Sequence, residues 1–290
     1  MNIREYIRKC DAAFKERLYS VADAIALGQE RVICLSGPTC SGKTTAAAML
    51  ADRLRADGRE VHIISIDDFY FDRDYLHELS RKKGLDGIDY DSADTIDLRA
   101  LGEFVREVFC GEEIHCPVFD FKTGMRAGVR TVKAEHNDLF IFEGIQAIYP
   151  QVTEMFEPIG YVSVYIAPLR SLSVEGEVFE PNEIRLLRRL VRDSNFRNSQ
   201  PDFTLHLWDS VRENEDKNIF PFVGGCKYSI DSTHEYELGI LRPFLERILP
   251  TVSEDSKYKS KTKEILMRLS AVESVSSALI EDGSLYKEFV

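Results

Sequence analysis

Apolar residues recur at three- and four-residue intervals from Ile3 through Tyr6, Ile7, Cys10, Ala13, Phe14, Leu18 and Val21 to Ile25, which predicts an amphipathic helix over residues 3–27. The period then changes. Val32-Ile33-Cys34-Leu35 is a short continuous apolar run, as expected of a buried strand, and Thr45-Ala46-Ala47-Ala48-Met49-Leu50 is helix-forming. Runs at 61–66, 139–142 and 161–166 read as further buried strands. Between 72 and 91 charge is dense and periodicity weak, so loop with short helical pieces is expected. A helix is predicted over 95–109, with Asp94 and Asp97 near its positive end. The alternating segments 116–121 and 129–132, linked through glycine, predict a β-hairpin. Beyond residue 180 the chain reads as helical, over 183–197, 204–213, 235–248 and 261–269.

Strands alternating with helices predict an α/β fold, a parallel sheet with a helical layer on each face. In such a sheet ligands bind beyond the carboxyl ends of the strands, where Asp67 and Glu143 stand. The expected organisation is an N-terminal helix packed on the core (1–30), one α/β domain (31–252) and a C-terminal helical appendage (253–290) set off by the polar stretch 253–260.

Composition narrows the partners. A formal charge of −12 on 290 residues argues against a broad nucleic-acid or anionic-membrane surface, so an anionic ligand has to be met by a local group of cations. The start of the chain is charged, and no later run approaches the roughly 18 apolar residues of a membrane span, so a soluble, cytoplasmic chain is expected. The six cysteines show no C-x-x-C spacing and read as reduced thiols. Homo-oligomerisation stays open at this stage.

One octet carries chemistry. Gly37-Pro38-Thr39-Cys40-Ser41-Gly42-Lys43-Thr44 is G-x-x-x-x-G-K-[ST] between a strand and a helix that starts around Thr45. The glycines let successive N–H groups turn inward on phosphate oxygens, Lys43 reaches the outer phosphates, and Thr44 offers a hydroxyl to Mg²⁺. The octet predicts a site for ATP or GTP. Phosphoryl transfer also needs a carboxylate for the acceptor proton and a metal ligand, for which Asp67 and Glu143 are placed. Cations for the transferred group come from Arg185, Arg188, Arg189 and Arg192, which fall within about a 100° arc of one helix, opposite Leu186, Leu187, Leu190 and Val191. Four like charges repel unless an anion joins them, so a phosphate-closing helical lid is expected around 183–200. Trp208 reads as core, Tyr70 and Tyr75 as loop anchors, and the histidines have no metal-binding spacing.

The succession of this P-loop, Ser65-Ile66-Asp67-Asp68-Phe69-Tyr70, Tyr90-Asp91 to Asp97, Pro117-Val118-Phe119-Asp120-Phe121-Lys122-Thr123-Gly124-Met125-Arg126, Phe142-Glu143-Gly144-Ile145 and the arginine run resembles the uridine kinase and phosphoribulokinase family over nearly the whole chain. Bacterial uridine kinase-like nucleoside kinases share further likenesses, in the segments from Trp208 to Phe222 and from Leu285 to Phe289. The resemblance implies a P-loop kinase moving the γ-phosphate of ATP to the 5′-hydroxyl of a nucleoside, uridine or cytidine foremost. Asp67 would be the general base, Asp91 would hold the ribose hydroxyls, Glu143 and Thr44 would serve Mg²⁺, and Phe119 would stack on the base. Arg192 and Lys43 would act on the transferred group, Arg188 on the nucleotide, and Arg126 and Arg189 on the acceptor. Gly124 stands where relatives have a base-reading histidine, and glycine offers no side chain for that task. Two other readings stay open: a kinase of another ribosyl or sugar-like alcohol, and a nucleotide-binding regulator without turnover.

Overall fold

The computed structural model describes residues 2–85, 87–111 and 113–290. The chain opens with α1 (Ile3–Ala26), β1 (Val32–Ser36), α2 (Lys43–Arg55) and β2 (Val61–Ser65). Then α3 (Arg73–Lys82) and α4 (Leu98–Phe109) lead into the hairpin β3 (Glu113–Asp120) and β4 (Met125–Lys133), followed by β5 (Leu139–Glu143), the single turn α5 (Pro150–Thr153) and β6 (Tyr161–Ala167). A small hairpin, β7 (Leu172–Val174) and β8 (Glu177–Phe179), precedes α6 (Pro181–Arg197), α7 (Pro201–Asn218) and the short α8 (Phe220–Val223). The chain finishes through β9 (Tyr228–Asp231), α9 (Glu237–Ile248), α10 (Lys259–Leu269) and a tail.

The central sheet has the order β2-β5-β1-β6-β9, every pairing parallel. Its middle strands, Val32–Ser36 and Leu139–Glu143, are buried at every position, as continuous apolar runs between two helical layers must be. One face is covered by α1, α2 and the tail, through Ile7, Phe14, Leu50, Tyr286 and Phe289; the other by α4 and the β3–β4 hairpin, through Phe104, Val108, Cys116 and Phe119. A third apolar cluster joins α6, α7, α9 and α10 around Leu187, Trp208, Leu241 and Leu269. The α/β architecture, the strand-end placement of Asp67 and Glu143, and the pairing of their strands (Ser65 opposite Glu143) accord with the sequence reading.

Several elements differ from it. The charged segment after residue 72 holds a ten-residue helix, α3, which buries only Leu76 and Ser80; its short apolar stripe of Tyr75, Leu76 and Leu79 is interrupted on every side by charge. The chain is not purely helical beyond 180: β9 returns to the edge of the sheet beside β6, and the helix expected over 204–213 runs from Pro201 to Asn218. The segment 253–290 is no appendage, since Ile265 and Leu269 belong to the third cluster, and Leu285, Tyr286 and Phe289 to the core over α2.

Candidate functional site

Two backbone inversions shape the phosphate loop. Cys40 and Gly42 both lie in the left-handed region, with φ of 59° and 91°. A Cβ at Gly42 would also sit 2.3 Å from Leu285 Cδ1 in the tail, so glycine is required there twice over. Lys43 opens α2 and turns its Nζ back to the Pro38 carbonyl at 3.1 Å, and Ser41 Oγ is buried with no hydrogen-bond partner among the described residues. An orphaned hydroxyl inside a ring of loop amides is a place where a phosphate oxygen fits.

Beyond the strand ends, β2 delivers Asp67 and β5 delivers Glu143. Asp67 Oδ1 is buried and unpartnered among the described residues. Burial, reinforced by the neighbouring Glu143 carboxylate and opposed by Lys43, pushes the Asp67 carboxyl up to about 7. Glu143 is also raised, chiefly by burial and against the pull of Lys43, and it accepts a hydrogen bond from Ser65 Oγ at 3.0 Å. Asp91 is pushed up to about 7 as well, by burial and by Asp89 and Glu215, with Lys43 and Arg189 opposing. Lys43 thus bears electrostatically on all three carboxylates.

Asp68, next to Asp67, does other work. It accepts the Phe119 N–H at 3.1 Å and lies 3.7 Å from Arg130, tying the β3–β4 hairpin to the end of β2. Phe119 is buried edge-on between Tyr70 (5.6 Å) and Phe121 (5.2 Å), and Phe121 is the exposed ring of that group. The loop carrying Asp91 is held from behind, by Tyr149 Oη donating to the Asp91 carbonyl at 2.8 Å and by Gln146 Nε2 donating to the Tyr90 carbonyl at 2.8 Å. Gly124 has φ of 73° at the hairpin tip, and Arg73 lies over it, donating to the Phe121 carbonyl at 2.7 Å.

The arginines are disposed otherwise than a lone helix suggests. Arg185 is buried against Glu215 of α7 (2.5 and 2.6 Å) and donates to the Thr39 carbonyl (3.2 Å). Arg188, expected on the nucleotide, is fully buried: Glu237 of α9 takes its Nε at 2.8 Å, and its other nitrogens reach the Cys40 carbonyl, Ser232 and Tyr286 Oη. Both hold the phosphate loop by its outer carbonyls and touch a phosphate only through it. Arg189 and Arg192 pair with Asp193, Arg192 at 2.8 and 3.0 Å, and Arg192 is the more exposed of the two. The four guanidinium groups are met by three carboxylates, Glu215, Glu237 and Asp193, the last shared by Arg189 and Arg192 and 3.7 Å from Arg197 as well, so pairing offsets part of the repulsion and leaves an excess of positive charge around Asp193. Arg126, expected on the acceptor, donates instead to the Tyr70 and Phe69 carbonyls (3.2 and 3.1 Å) and to Asp97 (3.3 Å), clamping the loop after β2.

Among the described residues there is no cluster of three or more His, Cys, Asp or Glu able to hold a metal. Magnesium is commonly held by one or two carboxylates together with substrate phosphates and water, and the oxygen donors Thr44 and Glu143 fit that manner of holding. No helix among the described residues is long and apolar enough to cross a membrane.

The model of the family described as phosphoribulokinase / uridine kinase matches residues 32–235. A uridine kinase of Lactobacillus johnsonii is 31% identical over 167 residues, 57% of this chain and 69% of the relative. One from Ureaplasma urealyticum is 28% identical over 180 residues, 62% of this chain and 77% of the relative. Among solved structures, a phosphoribulokinase from Rhodobacter spheroides gives a TM-score of 0.46 at 14% identity, covering 68% of each chain.

Proposed function

The chain belongs to the phosphoribulokinase / uridine kinase family of phosphotransferases, and from that membership we propose that it transfers the γ-phosphate of ATP to the 5′-hydroxyl of a nucleoside, with uridine or cytidine the favoured acceptor. One observation carries the reading. An unpartnered buried carboxylate, Asp67, stands at the strand end beside Lys43 and Glu143, where a switch that only bound nucleotide would have no use for an acceptor base.

In this reading Lys43 leaves the Pro38 carbonyl to reach the outer phosphates, and the loop amides and Ser41 Oγ take the remaining oxygens. Asp67 Oδ1 accepts the proton of the acceptor hydroxyl as its oxygen bonds the γ-phosphorus and the bond to the β,γ-bridging oxygen breaks to release ADP, and a carboxyl near 7 is matched to that exchange at neutral pH. Asp91 holds the ribose hydroxyls, and the Phe119, Tyr70 and Phe121 cluster offers an aromatic wall to the base. Mg²⁺, held by Thr44 and Glu143 with the phosphates, would supply neutralisation of charge on the transferred group. Arg192, partly buried and paired only with Asp193 among the described residues, would add to this on leaving that carboxylate.

The relatives named as uridine kinases favour a pyrimidine nucleoside. Because Gly124 has no side chain to read a base edge, discrimination among bases is expected to be weak. The test is kcat/KM for uridine, cytidine, a purine riboside and a base-free pentose, in the wild type and in Phe119→Ala. The nucleoside reading requires a preference for nucleosides over the pentose and a loss of about 1–3 kcal/mol in acceptor binding with Phe119→Ala. Equal efficiency on the pentose, unaffected by the substitution, would replace it with a sugar kinase.

A further inference from the structure

The tail returns to the phosphate loop with a negative charge. Glu288 Oε1 accepts the backbone N–H of Thr45 at 2.7 Å and its hydroxyl at 2.5 Å, across 243 positions of sequence. That N–H lies in the first turn of α2, among the free donors with which a P-loop helix cradles the inner phosphates of a nucleotide. The seat is built into the molecule. Leu285 lies against the bare Cα of Gly42, Tyr286 Oη accepts from Arg188 at 2.8 Å, Phe289 stacks beneath the same guanidinium, and the Phe289 carbonyl accepts from Asn195 at 3.1 Å. Leu285, Tyr286 and Phe289 are buried, while Glu288 is only partly so. The carboxylate is thus anchored by its neighbours and free to turn away by side-chain rotation alone. Its charge also reaches Arg192 and Glu143.

We propose that Glu288 is an intramolecular competitor of the nucleotide, its carboxylate occupying at Thr45 the position that an inner phosphate takes when nucleotide binds. The proposal rests on the nucleotide-binding reading of the P-loop. A carboxylate and a phosphate cannot share one amide donor, and two anions placed side by side there repel, so phosphate-bearing ligands bind only as Glu288 yields. The residue lies outside 32–235, the span matched by the family model.

The experiment is calorimetric titration of the full chain with adenosine, AMP and ADP, in the wild type, Glu288→Gln and Glu288→Ala. Removal of one carboxylate charge at a helix N-terminus is expected to tighten AMP and ADP by about three- to tenfold and to leave adenosine unchanged. Glu288→Gln keeps the size and an acceptor oxygen, so the tail stays seated, and melting curves of both variants verify this. Equal AMP and ADP affinities in all three proteins overturn the proposal, and so does an equal gain for adenosine, which reports a loosened pocket instead of a vacated phosphate position. ADP binding to wild type that is lost in Lys43→Ala sustains the P-loop reading whichever way Glu288 falls, whereas ADP binding to none of the proteins overturns both.

Discussion

Two adjacent aspartates, Asp67 and Asp68, differ in what they touch, and the proposed function gives the reacting hydroxyl to Asp67 alone. Asp67 faces Lys43 and Glu143 with an unpartnered oxygen, while Asp68 anchors the Phe119 amide. Asp67→Asn is expected to keep nucleotide binding and lose about 10²- to 10⁴-fold in turnover, as for loss of a positioned base; Asp68→Asn should cost far less, which initial rates and a fluorescent-nucleotide titration will check. The same carboxyl sets a pH dependence. Its folded-state pKa of about 7 exceeds the ordinary 3.8, so between these values the native state binds more protons than the unfolded chain, and Asp67 costs more stability as pH rises. Asp67→Asn should therefore melt above the wild type at pH 8, with the difference shrinking through neutrality and gone near pH 4. Over the same range the wild-type kcat/KM should rise with pH up to about 7. Lys43, Asp67 and Glu143 were legible because strand ends beside a glycine-rich loop have fixed places in an α/β sheet. Gly124 was legible only as a missing side chain; its positive φ and the Arg73 guanidinium above it, within 2.5 Å of where a Cβ would stand, required coordinates. Gly124→Ala is accordingly expected to destabilise the chain by about 1–2 kcal/mol in urea unfolding, from the left-handed backbone alone.

At the scale of elements, α6 shows what a helical wheel conveys and omits. The wheel correctly groups Arg185, Arg188, Arg189 and Arg192, but the carboxylates that answer them come from Glu215 in α7, Glu237 in α9 and Asp193 in α6 itself. Two of those three partners are distant in sequence, so the part of the repulsion that Glu215 and Glu237 offset could not be judged from one helix, while Arg189 and Arg192 still share the single carboxylate of Asp193. Glu215→Leu leaves Arg185 buried without its partner and should cost about 3–5 kcal/mol, and Arg185→Met added to it should recover much of the loss, a double-mutant cycle in urea being the measurement. Weakened nucleotide binding should accompany the single variant, because Arg185 also holds the Thr39 carbonyl. Short elements escaped for a simpler reason. Strand β9 is four residues long and flanked by helices, too short for a period to read, whereas α3 does place Tyr75, Leu76 and Leu79 at helical spacing, but the dense charge around them masks it.

Across the whole molecule, the two ends of the chain converge on α2. The first helix and the tail share its apolar face and are bridged by Arg8 with Glu281 (2.6 Å), while Tyr6 ties the same helix to Glu235 ahead of α9 (2.7 Å). Phe289→Ala should therefore behave as a core substitution, losing about 3–5 kcal/mol in denaturant unfolding despite lying far from the sheet in sequence. The sequence marked 253–290 as separable because its polar opening resembles a linker, and only the fold reveals that the segment closes the core. This closure also gives the protein a history in time. Thr45 receives its carboxylate partner from 243 positions further along the chain, which at roughly 5–20 residues per second of synthesis is an interval of about 10–50 s. In the later part of that interval, once β5, β6 and α6 have been made to hold the phosphate loop, a nascent chain can present it without Glu288 beside it, so cellular nucleotide can meet the unfinished molecule before the molecule answers its own amide.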